Sequence, residues 1–240
     1  MKITDVLARR TDLSTFLVHL TRATPDGQTA KQNLISIIEE NVIEARTPFG
    51  PAVDLLDAAG QSTATQRCAC FTETPLEHVS LLTHTLDEPR DIKFEPYGIA
   101  ITRKQGRCLH VNPVWYLDMS PTGYDWLTNS VALIVKEAIA RGAYTDSPMA
   151  RLTPFMDWMG VWPNGNRKEF WWEREWRHPG HFFLPPTFIV LAPEADHQEL
   201  DMIVNHVSPA KCVRFVDPAW SLEMIIGRLA GFEDKDLGPF

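Results

Sequence analysis

Short apolar runs recur along the whole sequence and constrain its fold more than any other feature. The runs F-L-V-H-L at Phe16–Leu20 and F-I-V-L at residues 188–191 have the length of buried strands. Residues 69–76 (A-C-F-T-E-T-P-L) alternate in polarity, which predicts a half-buried strand that ends at Pro75. Further strands are predicted at residues 41–45, 97–103, 112–116, 170–177 and 211–216.

Between these runs, apolar residues at helical spacing predict a set of helices. The clearest pattern covers residues 126–140, where Leu127, Val131 and Val135 share one side and Gly142 follows as a C-terminal glycine. Further helices are predicted at residues 29–40, 53–59, 76–82, 195–207 and 220–230.

The order of these elements predicts a mixed α+β fold, because the strands do not alternate strictly with long helices. We expect mostly antiparallel sheets with flanking helices. No repeat, low-complexity tract or clear linker interrupts the sequence, so we expect a single domain over residues 1–240.

The net charge of -8 argues against a basic surface that would bind nucleic acid or anionic lipid as the main ligand. No apolar stretch is long enough to cross a membrane, and residues 1–10 lack the pattern of a signal peptide. We therefore expect a cytoplasmic protein without a membrane partner.

The four cysteines, Cys68, Cys70, Cys108 and Cys212, are too few for a disulfide scaffold in a chain of 240 residues. Free thiols are expected in a reducing compartment. The C-A-C spacing of Cys68 and Cys70 does not match the usual pair of zinc ligands, so no metal is expected.

The segment F-W-W-E-R-E-W-R, residues 170–177, crowds three tryptophans around two glutamates and two arginines. In a strand, Glu173 and Glu175 would lie on one face, since side chains alternate between faces. Two interpretations are open: one packed face and one chemical face, or a surface strand whose charged residues form solvated ion pairs.

Six short motifs occur in the order found in the abortive-infection antitoxin family AbiGi, which the chain resembles over most of its length. This resemblance implies a role in bacterial defence against phage, beside a nucleotidyltransferase-type toxin. The motifs are H-L-T-R (residues 19–22), C-F-T-E-T-P-L (70–76), Y-G-I-A-I (97–101), N-P-V-W-Y (112–116), F-W-W-E-R-E-W-R (170–177) and F-I-V-L-A-P-E (188–194).

A second order of features resembles ADP-ribosyltransferase folds, including DarT-like toxins: a strand with H-x-T, a helix ending in I-I-x-x-x-x-I, a strand with F-T-E-T and a late E-R-E. This resemblance implies an ADP-ribosyltransferase-like fold and NAD as the substrate. It assigns NAD binding to residues of three motifs: His19, Thr21 and Arg22 at the first strand, Thr72 in the middle strand and Tyr97 before the next. The structural alternatives are a core histidine, a threonine chosen for its strand propensity and an edge tyrosine that covers the core.

The resemblance gives Glu175 the catalytic role and Glu173 a role in orienting the acceptor or taking its proton. Cleavage of the bond between nicotinamide and ribose develops positive charge on the ribose. A carboxylate fixed beside the sugar stabilises that charge, as it does in glycoside hydrolysis. The motif therefore has the residue type that this reaction needs.

Three functions follow from these patterns. The first is an NAD-dependent ADP-ribosyltransferase or NAD glycohydrolase of phage defence. The second is a non-catalytic antitoxin or regulatory protein-binding module, which the eight tryptophans favour unless they fill the core. The third, ranked last, is a metal-dependent nuclease that uses Asp157, Glu173 and Glu175.

Overall fold

The computed structural model describes residues 13–84, 94–120, 126–161, 167–168 and 171–231. Within these residues the chain forms thirteen strands. Their bounds are β1 Phe16–Leu20, β2 Val42–Ile43, β3 Thr47–Pro48, β4 Arg67–Thr72, β5 Gly98–Thr102, β6 Asn112–Pro113, β7 Trp115–Asp118, β8 Met156–Val161, β9 Arg167–Lys168, β10 Glu175–Pro179, β11 Phe182–Phe183, β12 Thr187–Leu191 and β13 Cys212–Val216.

The described residues also form eight α-helices and several short 3₁₀ turns, among them Trp171–Glu173. None of these helices has the length and apolar character needed to span a bilayer. The helices are α1 Ala30–Glu40, α2 Val53–Ala58, α3 Val79–His84, α4 Arg103–Cys108, α5 Trp126–Ala140, α6 Pro148–Leu152, α7 His197–Val207 and α8 Leu222–Ala230.

The fold is a mixed α+β arrangement with mostly antiparallel strands and flanking helices, as the sequence predicts. The chain divides into two compact units. Of the described residues, the first unit contains 13–42, 73–84, 94–106 and 183–231, and the second contains 43–72, 107–120, 126–161, 167–168 and 171–182. The single domain over residues 1–240 stays a prediction.

The first unit is built on four strands in the order β13, β12, β5, β1. The β1–β5 and β5–β12 pairs are antiparallel, and the β12–β13 pair is parallel. Its core joins apolar residues of the sheet with residues of helices α3 and α8. The buried members are Val18, Leu20, Leu76, Val79, Ala100, Ile189, Leu191, Val216 and Ile225.

The second unit contains strands β3, β4, β10 and β6, paired in that order and antiparallel throughout. It also contains β7, β8 and β9, of which β7 and β8 are parallel. A separate core forms around α5, where Val131 and Val135 pack with Leu117 of β7 and Tyr144.

Local signals explain why several predicted elements have the expected bounds. Helix α1 begins with a capping box, in which Thr29 accepts from the amide of Gln32 and the Gln32 side chain accepts from the amide of Thr29. Asn41 ends the helix in the left-handed conformation at φ 59°, which asparagine tolerates better than most residues. The chain then enters β2 directly.

Two predicted strands differ most from the structure, while β2 and β4 end earlier than predicted, at Ile43 and Thr72. The stretch at residues 112–116 divides into β6 and β7, which join different sheets. The stretch at residues 170–177 is a strand only from Glu175 onward, and Phe170 lies outside the described residues. Arg174 causes this difference: its φ of 48° is left-handed backbone, which ends the alternation of side chains.

Candidate functional site

The structure places the predicted site residues in both units. The first unit holds the predicted NAD-binding residues His19, Thr21, Arg22 and Tyr97, and the second unit holds Thr72, Glu173 and Glu175.

In the first unit, His19 is half-buried in β1 opposite Ile99 of β5. Thr21 follows the strand and is 5% exposed. Its backbone amide donates to the Tyr97 carbonyl at 2.8 Å, and its hydroxyl contacts the carbonyls of Ala30 at 2.9 Å and Tyr97 at 3.1 Å. Thr21 therefore joins the end of β1 to helix α1 and to the segment before β5, while the next residue, Arg22, is exposed.

Tyr97 belongs to a polar network at the beginning of helix α7. Its hydroxyl donates to Asp196 Oδ2 at 2.8 Å. Lys31 donates to Asp196 Oδ1 at 2.8 Å and to Glu199 Oε2 at 2.7 Å. Burial and the bond to Asp196 raise the pKa of Tyr97 to about 12, and the Lys31 ammonium lowers the pKa of Asp196. The network fixes the tyrosine ring and keeps its hydroxyl protonated.

We expect Asp196→Asn to remove an acid-dependent part of the stability. Because the pKa of Asp196 is lowered in the folded state, its contribution is full above the unfolded value of about 3.9 and falls as pH drops through the folded value. Urea unfolding of wild type and Asp196→Asn between about pH 3 and about pH 7 measures this as a difference that shrinks in acid. In a Lys31→Met background the difference should depend less on pH, because Lys31 is the largest cause of the lowered pKa of Asp196; a dependence of unchanged size would assign the effect to the Tyr97 hydroxyl or to His197.

The second unit contains a buried charge cluster centred on Arg177 of β10, whose side chain has 0% exposure. A guanidinium has five N–H donors, and the structure gives this one five hydrogen bonds. Nε and Nη2 donate to the two oxygens of Glu175 at 2.9 and 2.8 Å. Nη2 also donates to Asp157 Oδ2 at 2.5 Å, and Nη1 donates to the carbonyls of Pro154 and Met156 at 3.1 and 3.2 Å.

Further contacts complete this charge cluster. Lys168 donates to Asp157 Oδ1 at 2.8 Å, and the Trp158 amide donates to the same oxygen at 2.8 Å. The Arg177 guanidinium lies 4.3 Å from the centre of the Phe49 ring, within the range of a cation–π contact. The carboxylates of Glu175 and Asp157 thus contact the cations Arg177 and Lys168, and the Phe49 ring lies beside Arg177.

The predicted arrangement of Glu173 and Glu175 on one face of a strand is wrong. Glu173 lies in the 3₁₀ turn Trp171–Glu173, and the left-handed Arg174 separates it from Glu175 at the start of β10. The two glutamates nevertheless remain close to a common neighbour. Thr72 pairs with Glu175 across β4 and β10, and its hydroxyl donates to the Glu173 carbonyl at 2.5 Å.

Strand β10 carries Trp176 on one face and Glu175 and Arg177 on the other, and Arg177 is buried; the chemical role that the first interpretation gives to the charged face stays a prediction. Trp176 and its partner Phe71 on β4 are 8% and 2% exposed. Arg177 pairs with Cys70, and Glu175 pairs with Thr72. These four side chains therefore lie on the same side of the sheet. Burial raises the pKa of the Cys70 thiol, which therefore stays neutral beside the charges.

Sequence reasoning missed two residues of this region. Arg177 was read only as part of a charged segment, although its spacing of two from Glu175 places both on one strand face. Tyr116 ends the N-P-V-W-Y motif, and its hydroxyl is buried without a hydrogen-bond partner among the described residues. The position of Tyr116 in the N-P-V-W-Y motif is the available signal for this residue.

The first unit also has an open pocket of about 500 Å³ beside α7, β13 and α8. None of the predicted site residues lines it. Its walls are formed by His197, Gln198, Asp201, Val213, Arg214, Phe215, Arg228 and Gly231.

Among the described residues, no three His, Cys, Asp or Glu side chains are grouped to hold a metal ion. Comparison of the chain with protein-family models, curated proteins and solved structures finds no match. The resemblances to AbiGi and to ADP-ribosyltransferase folds stay predictions.

Proposed function

We propose that the protein acts in bacterial defence against phage and cleaves the bond between nicotinamide and ribose in NAD. The ADP-ribose passes to an acceptor or to water. Two lines support the proposal: the order of motifs, and the Glu175 carboxylate that Arg177 fixes at the start of β10. The second is the observation that carries the proposal.

The reaction needs a carboxylate that does not move. Arg177 meets this need, because its forked contact fixes the plane of the Glu175 carboxylate. Arg177 uses one acceptor position on each Glu175 oxygen, and a carboxylate has about four such positions. The Glu175 side chain keeps 13% exposure.

The proposed chemistry follows from this position. Departure of nicotinamide leaves positive charge on the ribose, and the negative charge of Glu175 lowers the energy of that state. Glu173, joined to Thr72 through its carbonyl, would orient the acceptor. The NAD-binding roles of His19, Thr21, Arg22, Thr72 and Tyr97 stay predictions.

The direct test is release of nicotinamide from NAD by the purified protein, followed by chromatography. NADH is the matched control substrate, since its dihydronicotinamide is not a cationic leaving group and should not be released. Release from NAD alone supports the proposal. Absence of release with water and with a panel of protein and nucleic-acid acceptors would contradict it.

A second candidate function is a non-catalytic antitoxin that binds a cognate toxin. The observation that favours it is the exposed apolar surface of helix α5, where Trp126, Leu133 and Ile134 are 68%, 58% and 49% exposed. Exposed residues of this size are frequent in protein interfaces.

For this candidate we expect Leu133→Glu to weaken binding of the toxin without changing the melting temperature. Leu133 is largely exposed and contributes little to the core, so its replacement should leave the fold unchanged. In the complex, the new glutamate would be buried in the interface, and burial of its carboxylate would weaken binding. Calorimetry with a co-expressed, co-purified partner measures the affinity, and Glu137→Lys on the same exposed side is the control for charge. Equal binding by Leu133→Glu and wild type would remove helix α5 from the interface.

A further inference from the structure

The Tyr116 hydroxyl is the buried polar group of the second unit whose hydrogen bonding the folded chain leaves unexplained. It is shielded from solvent, and no group among the described residues hydrogen-bonds to it. Buried side-chain hydroxyls normally have a partner, because burial without one costs the group its hydration. A partner from outside the chain would account for this hydroxyl.

Two strand contacts place Tyr116 beside the charge cluster. Val114, two residues earlier, donates its amide to the Glu175 carbonyl at 2.8 Å. Tyr116 itself pairs with Asp157 between the parallel strands β7 and β8. Tyr116 therefore lies beside Asp157 and two residues from a backbone contact with Glu175, the two carboxylate partners of Arg177.

The surroundings keep this phenol protonated. Burial raises its pKa most, the negative charges of Glu175, Glu173 and Asp157 raise it further, and Arg177 opposes them. A neutral phenol can donate one hydrogen bond and accept another. A ribose hydroxyl has the same two capacities and so can satisfy it.

We infer that the Tyr116 hydroxyl is a substrate-binding group that hydrogen-bonds a ribose hydroxyl of NAD next to Glu175. This inference rests on the proposed function, which requires the ribose to lie beside that carboxylate. It gives the last residue of N-P-V-W-Y a role in selecting a sugar-bearing substrate. The hydroxyl would gain in the complex a hydrogen bond that it makes with none of the described residues.

Tyr144 provides the matched comparison in the same unit. It is 1% exposed, and its hydroxyl shares a 2.6 Å hydrogen bond with Thr153 Oγ1. Tyr144→Phe removes an internal hydrogen bond, whereas Tyr116→Phe removes a hydroxyl that has none among the described residues. Both substitutions delete a tyrosine hydroxyl oxygen. Any difference between their effects on stability and on NAD binding therefore reflects the different hydrogen-bond partners of the two hydroxyls.

The experiment measures melting temperature, NAD affinity by calorimetry and nicotinamide release for wild type, Tyr116→Phe and Tyr144→Phe. We expect Tyr116→Phe to keep the wild-type melting temperature and to weaken NAD binding or kcat/KM by about tenfold. Tyr144→Phe should lower the melting temperature and keep the NAD affinity of the folded protein.

Each other outcome identifies what has failed. If wild type cleaves NAD and Tyr116→Phe binds and cleaves it equally well, the hydroxyl does not contact the substrate and this inference is overturned while the proposed function stands. If Tyr116→Phe melts as far below wild type as Tyr144→Phe does, the hydroxyl has an internal partner and the inference is again wrong. If wild type neither binds nor cleaves NAD, both proposals fall.

Discussion

Arg177→Met is expected to lower the free energy of unfolding by about 3–5 kcal/mol, the range measured when one partner of a buried ion pair is removed. Methionine fills most of the volume but leaves Glu175 and Asp157 without the cation that they share. The substitution also leaves the carbonyls of Pro154 and Met156 without their donor. Urea unfolding, followed by circular dichroism, measures the change.

Arg46→Met is the control for loss of an arginine in the same unit. Arg46 pairs with Glu44 at 2.8 Å, but its side chain is 57% exposed, and such surface pairs contribute about 0–1 kcal/mol. The expected effect is therefore several times smaller. A loss below about 1 kcal/mol in Arg177→Met as well would mean that water reaches the charge cluster and that Arg177 does not fix Glu175.

The predicted elements that the structure confirms are those with strong local signals. Helix α5 matches its predicted bounds because its apolar spacing is regular over four turns. Helix α1 is marked at both ends by Thr29 and Asn41, whose side chains and conformations act within a few residues. Strand β1 needs only an uninterrupted apolar run.

Strand β8 was not predicted, and the charge cluster explains why. Its sequence M-D-W-M-G-V places Asp157 among apolar residues, and a pattern argument assigns an aspartate to solvent. In the fold, Asp157 is 7% exposed because Arg177 and Lys168 bind its oxygens. These partners lie 20 and 11 residues away in sequence, so their contacts cannot be read from local periodicity.

The candidate site was predictable in its residue types and only partly in its geometry. The strand pairing brings Thr72 to Glu175, and the resemblance gives these two residues an NAD-binding and a catalytic role. The turn at Arg174 depends on a left-handed backbone that arginine seldom adopts, so Glu173 could not be placed. Tyr116 differs from Tyr97 and Tyr144 in having no hydrogen-bond partner among the described residues, which no sequence records.

Glu175→Gln is expected to reduce nicotinamide release from NAD at least about 100-fold, because glutamine keeps the shape of the side chain and removes the charge that stabilises the ribose cation. It should also reduce stability by about 3 kcal/mol. The glutamine amide presents N–H groups to a buried guanidinium that can only donate. Loss of turnover in this variant alone would therefore not separate catalysis from folding.

Asp157→Asn makes that separation. Asp157 is the other carboxylate on Arg177, so its replacement should cost a similar amount of stability, but in the proposal it does not touch the ribose. Both variants are assayed at a temperature at which urea unfolding shows that each is folded. Under this condition we expect Asp157→Asn to keep turnover within about fivefold of wild type. Equal losses of turnover in the two variants would assign Glu175 a structural role. Both carboxylates bind Arg177, so a larger loss in Glu175→Gln is expected only if Glu175 also acts on the substrate.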